Sequence, residues 1–330
     1  MVKKSPFLLS LFLVGLTAFL LAPPGMAQVI ISESQEVSLG RQANEEILKR
    51  FGRYEDPKLE AYVASVGQRL VQSMEESRGF RYTFTILDTP EANAMALPGG
   101  YVYITRGMLA ELNSGAQLAG VLGHELGHVT ARHAAKQLTR ALGYQILTLG
   151  IIAVSPGGRE HTAEWGLLMS QIFQMLLLGY SRDFELEADT LGLRYAAKAG
   201  YDPGQMVSFL RQMKMKERLR GLGYHGFSTH PEFSERIVKA QTLADLLTTE
   251  EGSGEVDADT YKAHLEGLRY GEKGEYKRLK IYTAKGGESL PQVAQELLKD
   301  QSKAWDLALL NGLKEDAVLK AGEKVKVILD

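Results

Sequence analysis

Residues 117–137 read QLAGVLGHELGHVTARHAAKQ, and the fold follows from how this stretch is read. Leu118, Val121, Leu122, Leu126 and Val129 recur at helical spacing, and good helix formers fill the gaps between them. Asn113 and Ser114 stand where an N-cap belongs. On a helix turning ~100° per residue, His124 and His128 project from one face, one turn above the other. Both imidazoles can then bind a single Zn²⁺, while Glu125 reaches the water on the metal without ligating it. The spacing is H-E-x-x-H, which supplies two zinc ligands and a general base.

A catalytic zinc takes three protein ligands and keeps one open position. Further on, Tyr180 to Asp189 (YSRDFELEAD) opens another helix. Glu185 and Asp189, four apart, share a face, and Glu187 points elsewhere. Glu185 is the expected third ligand of a His₂Glu site, with one zinc per chain. Asp189 is expected to accept a hydrogen bond from a ligand histidine and fix its orientation. His133 is set aside. The pattern H-E-x-x-H-x-x-G-x-x-H would need Gly at position 131 and His at position 134, where Ala131 and Ala134 stand. On a continued helix His133 also falls about half a turn from the ligand face, so it reads as structural. His230 lies in the loop Phe227 to Pro231 and reads as an oxyanion donor, an inhibitory fourth ligand or a plain surface histidine. Arg236, six residues on, is expected behind the site or beside His230 at the oxyanion.

Composition excludes other chemistries. A net charge of −2 offers no broad basic surface, so no nucleic-acid partner is expected. The chain has no cysteine, which removes disulfides and thiolate zinc sites and leaves histidines and carboxylates as metal ligands. At the N-terminus, Lys3 and Lys4 precede the uncharged apolar run Phe7 to Leu21 and a small-residue stretch before Gln28. Residues 1–27 therefore read as a signal peptide that is removed, which puts the chain in a bacterial periplasm. No cysteine follows the run, so a lipid-modified N-terminus is not expected.

Glu33 to Phe51 and Pro57 to Ser73 read as amphipathic helices, and Arg81 to Leu87 alternates as a half-buried strand. Asn93 to Leu97, the turn Pro98-Gly99-Gly100 and Tyr101 to Thr105 form a hairpin leading into the metal helix. Its first strand, with Asn93, Ala94, Met95 and Ala96, is a candidate edge on which an extended substrate pairs, or a hairpin that only completes the sheet. Ala141 to Val154 and Trp165 to Leu178 are apolar runs too short for membrane spans. They are expected to form a helical hairpin, buried or in peripheral contact with lipid. Pro203 to Leu219 and Ser234 to Leu247 read as further helices.

Several motifs occur in order: Asn93-Ala94-x-Ala96-Leu97-Pro98-Gly99-Gly100, His124-Glu125-x-x-His128, Ser181-Arg182 with Glu185-x-x-Ala188-Asp189, and Thr229-His230-Pro231 through Arg236-Ile237. Together they resemble the gluzincin metallopeptidases that include the CAAX prenyl endopeptidase and the heat-shock protease HtpX. The layout is similar to secreted periplasmic members of the β-barrel-assembly-enhancing type. The resemblance runs from about Ser34 to Leu247. It implies zinc on His124, His128 and Glu185, Glu125 as catalytic base, and His230 near the metal in transition-state stabilisation or self-inhibition.

Thr248 to Val256 (TTEEGSGEV) reads as the start of a linker extending over 248–278, after a metallopeptidase domain over 28–247. From 279 to 330 the chain reads strand, helix, helix, strand. Gly286 to Leu290, Leu310 to Leu313 and Leu319 to Val327 there resemble a LysM module, which implies binding of peptidoglycan-type glycans; a degenerate module that only packs on the peptidase is the alternative. The expected fold is α+β: a mainly helical zincin-like metallopeptidase domain with a small sheet and an edge strand, plus a small βααβ module. The expected function is zinc-dependent endoproteolysis of unfolded or misassembled envelope proteins. A zinc-stabilised chaperone or scaffold and a peptidoglycan-binding adaptor are the competing classes.

Overall fold

The structure is a computed structural model that describes residues 31–75, 77–140, 179–218 and 233–329. The expected signal peptide, the apolar runs within 141–178 and the loop carrying His230 lie outside the described residues.

Two capped helices open the fold. Helix α1 (Glu33–Phe51) begins with a capping box, in which the Ser32 hydroxyl accepts from Gln35 N and the Gln35 side chain accepts from Ser32 N. Helix α2 (Pro57–Ser73) starts at Asp56, whose carboxylate accepts from the amides of Lys58 and Leu59, with proline in the first turn. Leu59, Val63, Val66 and Leu70 face the core, as their spacing predicts.

The first sheet has three strands, β1 (Thr83–Leu87), β2 (Ala94–Leu97) and β3 (Tyr101–Thr105), in the order β1-β3-β2. Strand β1 runs parallel to β3; β2 runs antiparallel to it, Met95 opposite Tyr103. The hairpin expected before the metal helix is present, and β2 lies at the end of this sheet. All four β2 residues are buried. Thr105 then caps the short helix α3 (Arg106–Glu111) by accepting from Met108 N.

Helix α4 (Gly115–Thr130), capped by the Ser114 hydroxyl on Gln117 N, is buried along its whole length. It packs on α2, on β2, and on α5 (Arg182–Lys198) and α6 (Gly204–Arg218). Helix α7 (Phe233–Glu251) covers α5 and α6. A helix buried on every side must meet its neighbours closely, and here glycines permit it. A Cβ at Gly123 would lie 2.8 Å from the Gly192 carbonyl oxygen, and one at Gly192 only 2.6 Å from the His124 amide nitrogen. The two backbones are in direct contact beside the H-E-x-x-H motif.

The stretch expected to be a linker is folded instead. Helix α7 continues to Glu251, and α8 (Ala258–His264) buries Tyr261, with Leu265 and Leu268 behind it, in the same core as α2, α4 and α6. The backbone of 255–257 hydrogen-bonds to Gly200, Asp202, Gly115 and Ala116. The glycines and glutamates read as linker residues are a short turn between packed elements.

Strand β4 (Arg269–Tyr270) pairs with β5 (Lys277–Thr283), which pairs in turn with β8 (Lys324–Leu329); both pairings are antiparallel. Between β5 and β8 run β6 (Glu288–Ser289), α9 (Leu290–Leu298), α10 (Ala304–Asn311) and β7 (Val318–Leu319). The strand–helix–helix–strand order expected after 279 is therefore present, with two extra short strands. This unit has its own core of Leu290, Val293, Leu307, Leu319, Val325 and Val327. It is also seated on α3. Buried Arg106 donates to the carbonyls of Arg269 and Gly271 and pairs with Asp88 at 2.7 Å.

Among the described residues no helix is long and apolar enough to cross a membrane.

Candidate metal centre

Local sequence sets the first half of the site. Helix α4 turns His124 and His128 to one side, and their Nε2 atoms stand 3.0 Å apart. Helix α5, held against α4 by the glycine contact, brings in Glu185. Its Oε1 lies 3.5 Å from His128 Nε2 and its Oε2 3.6 Å from His124 Nε2. All three side chains are buried. These three are the metal-capable cluster found among the described residues.

The donor set fits zinc. With ligand bonds of about 2.0–2.2 Å, a tetrahedral zinc separates its ligand atoms by about 3.3–3.5 Å. The three separations bracket that value, and two imidazoles plus a carboxylate leave the fourth position open. A ring nitrogen that ligates a metal carries no proton, so each histidine must carry its proton on Nδ1. Both Nδ1 atoms point away from the centre, towards acceptors.

His124 Nδ1 lies 2.8 Å from Asp189 Oδ1, the partner expected from the sequence. Asp189 is in turn gripped by Arg236, whose Nε and Nη2 donate to its two oxygens at 2.7 and 2.8 Å. Arg236 Nη1 pairs with Glu185 Oε2 at 3.0 Å. Burial works to raise the Asp189 pKa, but Arg236 and His124 outweigh it and hold the carboxyl well below its usual range. Of the two expectations for Arg236, the structure supports the place behind the site. Its guanidinium is buried and binds the two carboxylates from behind the metal ligands.

His128 Nδ1 lies 2.8 Å from His133 Nδ1, and this partner was not anticipated. The half-turn argument assumed a continuous helix, but α4 ends at Thr130. Arg132 adopts φ 57°, and a new helical segment begins at 133, which swings His133 back over the ligand. The kink is anchored by Arg132 Nε on Glu36 Oε1 at 2.5 Å and by Nη2 on the carbonyl of Ile31 at 2.6 Å. His133 is fully buried, and burial, with His128 beside it, pushes its pKa down to about 2. It is neutral at any physiological pH. Its Nε2 meets Glu187 Oε2 at 3.1 Å, so Glu187, set aside as pointing elsewhere, reaches the site through His133. No local sequence signal announces a left-handed arginine, and the kink was invisible for that reason.

Glu125 is buried on the same helix, next to His124. Tyr180 stacks on His128, ring centroids 4.1 Å apart and planes at 18°. A recess bordered by Ala96, Leu97, Pro98, His128, Arg132 and Tyr180 joins the end of β2 to the metal helix. Of the residues named for substrate pairing, Ala94, Met95 and Ala96 form β2, and Asn93 immediately precedes it, its carbonyl accepting from Thr105 N.

The sequence matches known proteins in this region. The profile of Peptidase family M48 covers residues 57–244, more than half of the chain. The chain is 35% identical over 176 residues to the mitochondrial metalloendopeptidase OMA1 of Arabidopsis thaliana, a match covering 51% of this chain and 33% of that protein. It is 32% identical over 199 residues to a putative beta-barrel assembly-enhancing protease of Vibrio cholerae, 57% of this chain and 40% of the relative. The Escherichia coli beta-barrel assembly-enhancing protease is 28% identical over 223 residues, 66% of this chain and 45% of the relative. The chain thus spans less than half the length of these curated relatives.

Proposed function

Because the chain belongs to peptidase family M48 and is a metalloendopeptidase by that membership, we propose that its metal is zinc, held by His124, His128 and Glu185. One observation carries the reading: two imidazole nitrogens and a carboxylate from two helices converge at near-tetrahedral spacing, all three side chains buried. Bound there, zinc would supply Lewis acidity to a scissile carbonyl and lower the pKa of an attacking water. Glu125 takes the proton from that water and delivers it to the leaving amine. Arg236 and Asp189 hold Glu185 and His124 in place while charge builds up. His230 is assigned to the oxyanion by resemblance alone.

The substrate is an extended peptide that adds to β2 beside the recess at Ala96 and Leu97, with Asn93 at the strand's start. Extended backbone is available in unfolded or misassembled proteins, so these are the proposed substrates. A periplasmic setting is supported by the leader-like residues 1–27. The C-terminal βααβ unit is proposed to bind peptidoglycan-type glycan, on its resemblance to LysM.

The test is zinc content together with casein cleavage, measured side by side on wild type and Glu125→Gln. The variant should hold one zinc per chain and lose nearly all turnover. Equal cleavage by both proteins would defeat the assignment, as would wild type that binds no zinc.

A further inference from the structure

The mechanism above uses neither His133 nor Glu187, yet their geometry admits a single arrangement of protons. His128 must present a bare Nε2 to the metal, so its proton sits on Nδ1. At 2.8 Å from that atom, His133 Nδ1 must be the acceptor, which puts the His133 proton on Nε2. That nitrogen is 3.1 Å from Glu187 Oε2, an acceptor. The three groups therefore form one directed line of hydrogen bonds, from the buried ligand to a carboxylate whose side chain is 47% exposed.

Ring packing fixes the line laterally. Phe184 stacks on His133 with centroids 4.2 Å apart and planes at 12°, while Tyr180 stacks on His128. Lys136 Nζ stands 3.8 Å from Glu187 and fixes its carboxylate from the outside. The arrangement mirrors the other ligand, where His124 is held by Asp189 and Asp189 by Arg236. The two sides differ in one respect: the His124 support is buried throughout, whereas the His128 support ends at the surface.

We propose that His133 is a positioning residue of the metal site, holding His128 in its metal-facing tautomer and angle and anchored in turn by Glu187. This rests on the zinc reading given above. An acceptor behind a ligating imidazole fixes ring orientation and raises ligand basicity, and its loss typically costs about 10- to 100-fold in metal affinity.

The test compares the full chain with His133→Leu, His133→Asn and Glu187→Ala. Zn²⁺ affinity is measured by chelator competition, the visible spectrum of the Co²⁺-loaded protein is recorded, and kcat and KM on casein are taken at saturating Zn²⁺. His133→Leu should weaken Zn²⁺ binding about 10- to 100-fold, alter the Co²⁺ bands and lower kcat more than it raises KM. His133→Asn puts an amide oxygen where Nδ1 stood and should recover most of the affinity. Glu187→Ala should lose affinity in the same direction but by less. The proposal is overturned if His133→Leu and Glu187→Ala bind Zn²⁺ like wild type, or if His133→Asn is as weak as His133→Leu. Should His133→Leu fail to fold, the half-exposed Glu187→Ala decides alone. Wild type that binds no Zn²⁺ would sink this proposal and the zinc reading together. Wild type that binds Zn²⁺ without cleaving casein would defeat the proposed function and leave the affinity comparison standing.

Discussion

Gly127 and Ala188 meet backbone to backbone: a Cβ on Gly127 would lie 2.8 Å from the Ala188 carbonyl oxygen and 3.0 Å from its Cα. With the Gly123–Gly192 contact one turn away, this seam sets how far Glu185 on α5 stands from the two imidazoles on α4.

The first prediction follows from that distance. Replacing a helical glycine by alanine ordinarily stabilises a helix by about 1 kcal/mol. In Gly127→Ala the added methyl meets backbone, which cannot rotate away, so α4 and α5 must separate. Overpacking of this kind costs about 1–3 kcal/mol and should outweigh the propensity gain. Urea unfolding should show a lower midpoint, and chelator competition a weaker hold on Zn²⁺ as Glu185 retreats. A variant that is more stable and binds zinc unchanged would mean the seam does not set the site.

What could be read from the sequence was mostly what is local. His124, Glu125 and His128 share one helix, and helical periodicity alone projects both histidines to one side. Glu185 and Asp189 were separable from Glu187 by the same rule. The rest depends on distant partners. The glycines of LGHELGH, Gly123 and Gly127, stand directly before each ligand histidine, a visible signal, but their meaning needs Gly192 and Ala188 opposite them. His133 is no metal ligand, as read, but its place was misjudged because one arginine in the left-handed region resets the helical phase. Residues 248–278 were misread because a polar, glycine-containing composition resembles a linker even where Tyr261 and Leu265 are buried in the main core.

The second prediction concerns Arg236, which is buried between Asp189 and Glu185. Arg236→Gln leaves two buried carboxylates without their cation, and breaking a buried pair costs about 3–5 kcal/mol. That loss should appear in full in EDTA, where no metal compensates Glu185. Added Zn²⁺ should recover part of it, so zinc should raise the unfolding midpoint of the variant more than that of wild type. A variant within 1 kcal/mol of wild type in EDTA would show that the clamp is not a structural cation site.

The third prediction weighs strain against charge at Arg132. Glycine there would relieve a left-handed residue, a gain of about 1–2 kcal/mol. It would also strip buried Glu36 of its partner, a loss of up to about 3–5 kcal/mol, so Arg132→Gly should be destabilised. Burial already raises the Glu36 carboxyl above its ordinary 4.5, and losing Arg132 raises it further. A carboxyl whose pKa is higher in the folded state favours folding when protonated, and that contribution is lost as pH rises through the folded value. The deficit of Arg132→Gly against wild type should therefore shrink towards acid and grow towards neutral pH. Adding Glu36→Gln to Arg132→Gly should restore most of the loss and abolish this pH dependence, as urea midpoints across the range would show.

The last prediction separates a docked module from a tethered one. Lys326, in the middle of β8, is fully buried, and its ammonium donates to the carbonyls of Ala110 at 2.5 Å and Leu112 at 2.8 Å, at the end of α3. Those carbonyls come just before Ser114, which caps α4, so the C-terminal unit supports the start of the metal helix. Lys326→Met keeps the length of the side chain and deserts the acceptors, which should cost about 1–3 kcal/mol. Burial pushes the Lys326 pKa well below 10.5 despite the pull of Glu111. Between the folded value and 10.5 the unfolded chain binds the extra proton, so this group makes wild-type stability rise with pH and level off above 10.5. Subtracting the Lys326→Met curve from the wild-type curve isolates that slope from all other titrations. The difference should increase with pH on the alkaline side, up to 10.5. A flat difference would mean that Lys326 reaches solvent in the folded chain, and the C-terminal unit would then be a tethered neighbour of the peptidase with no part in supporting α4.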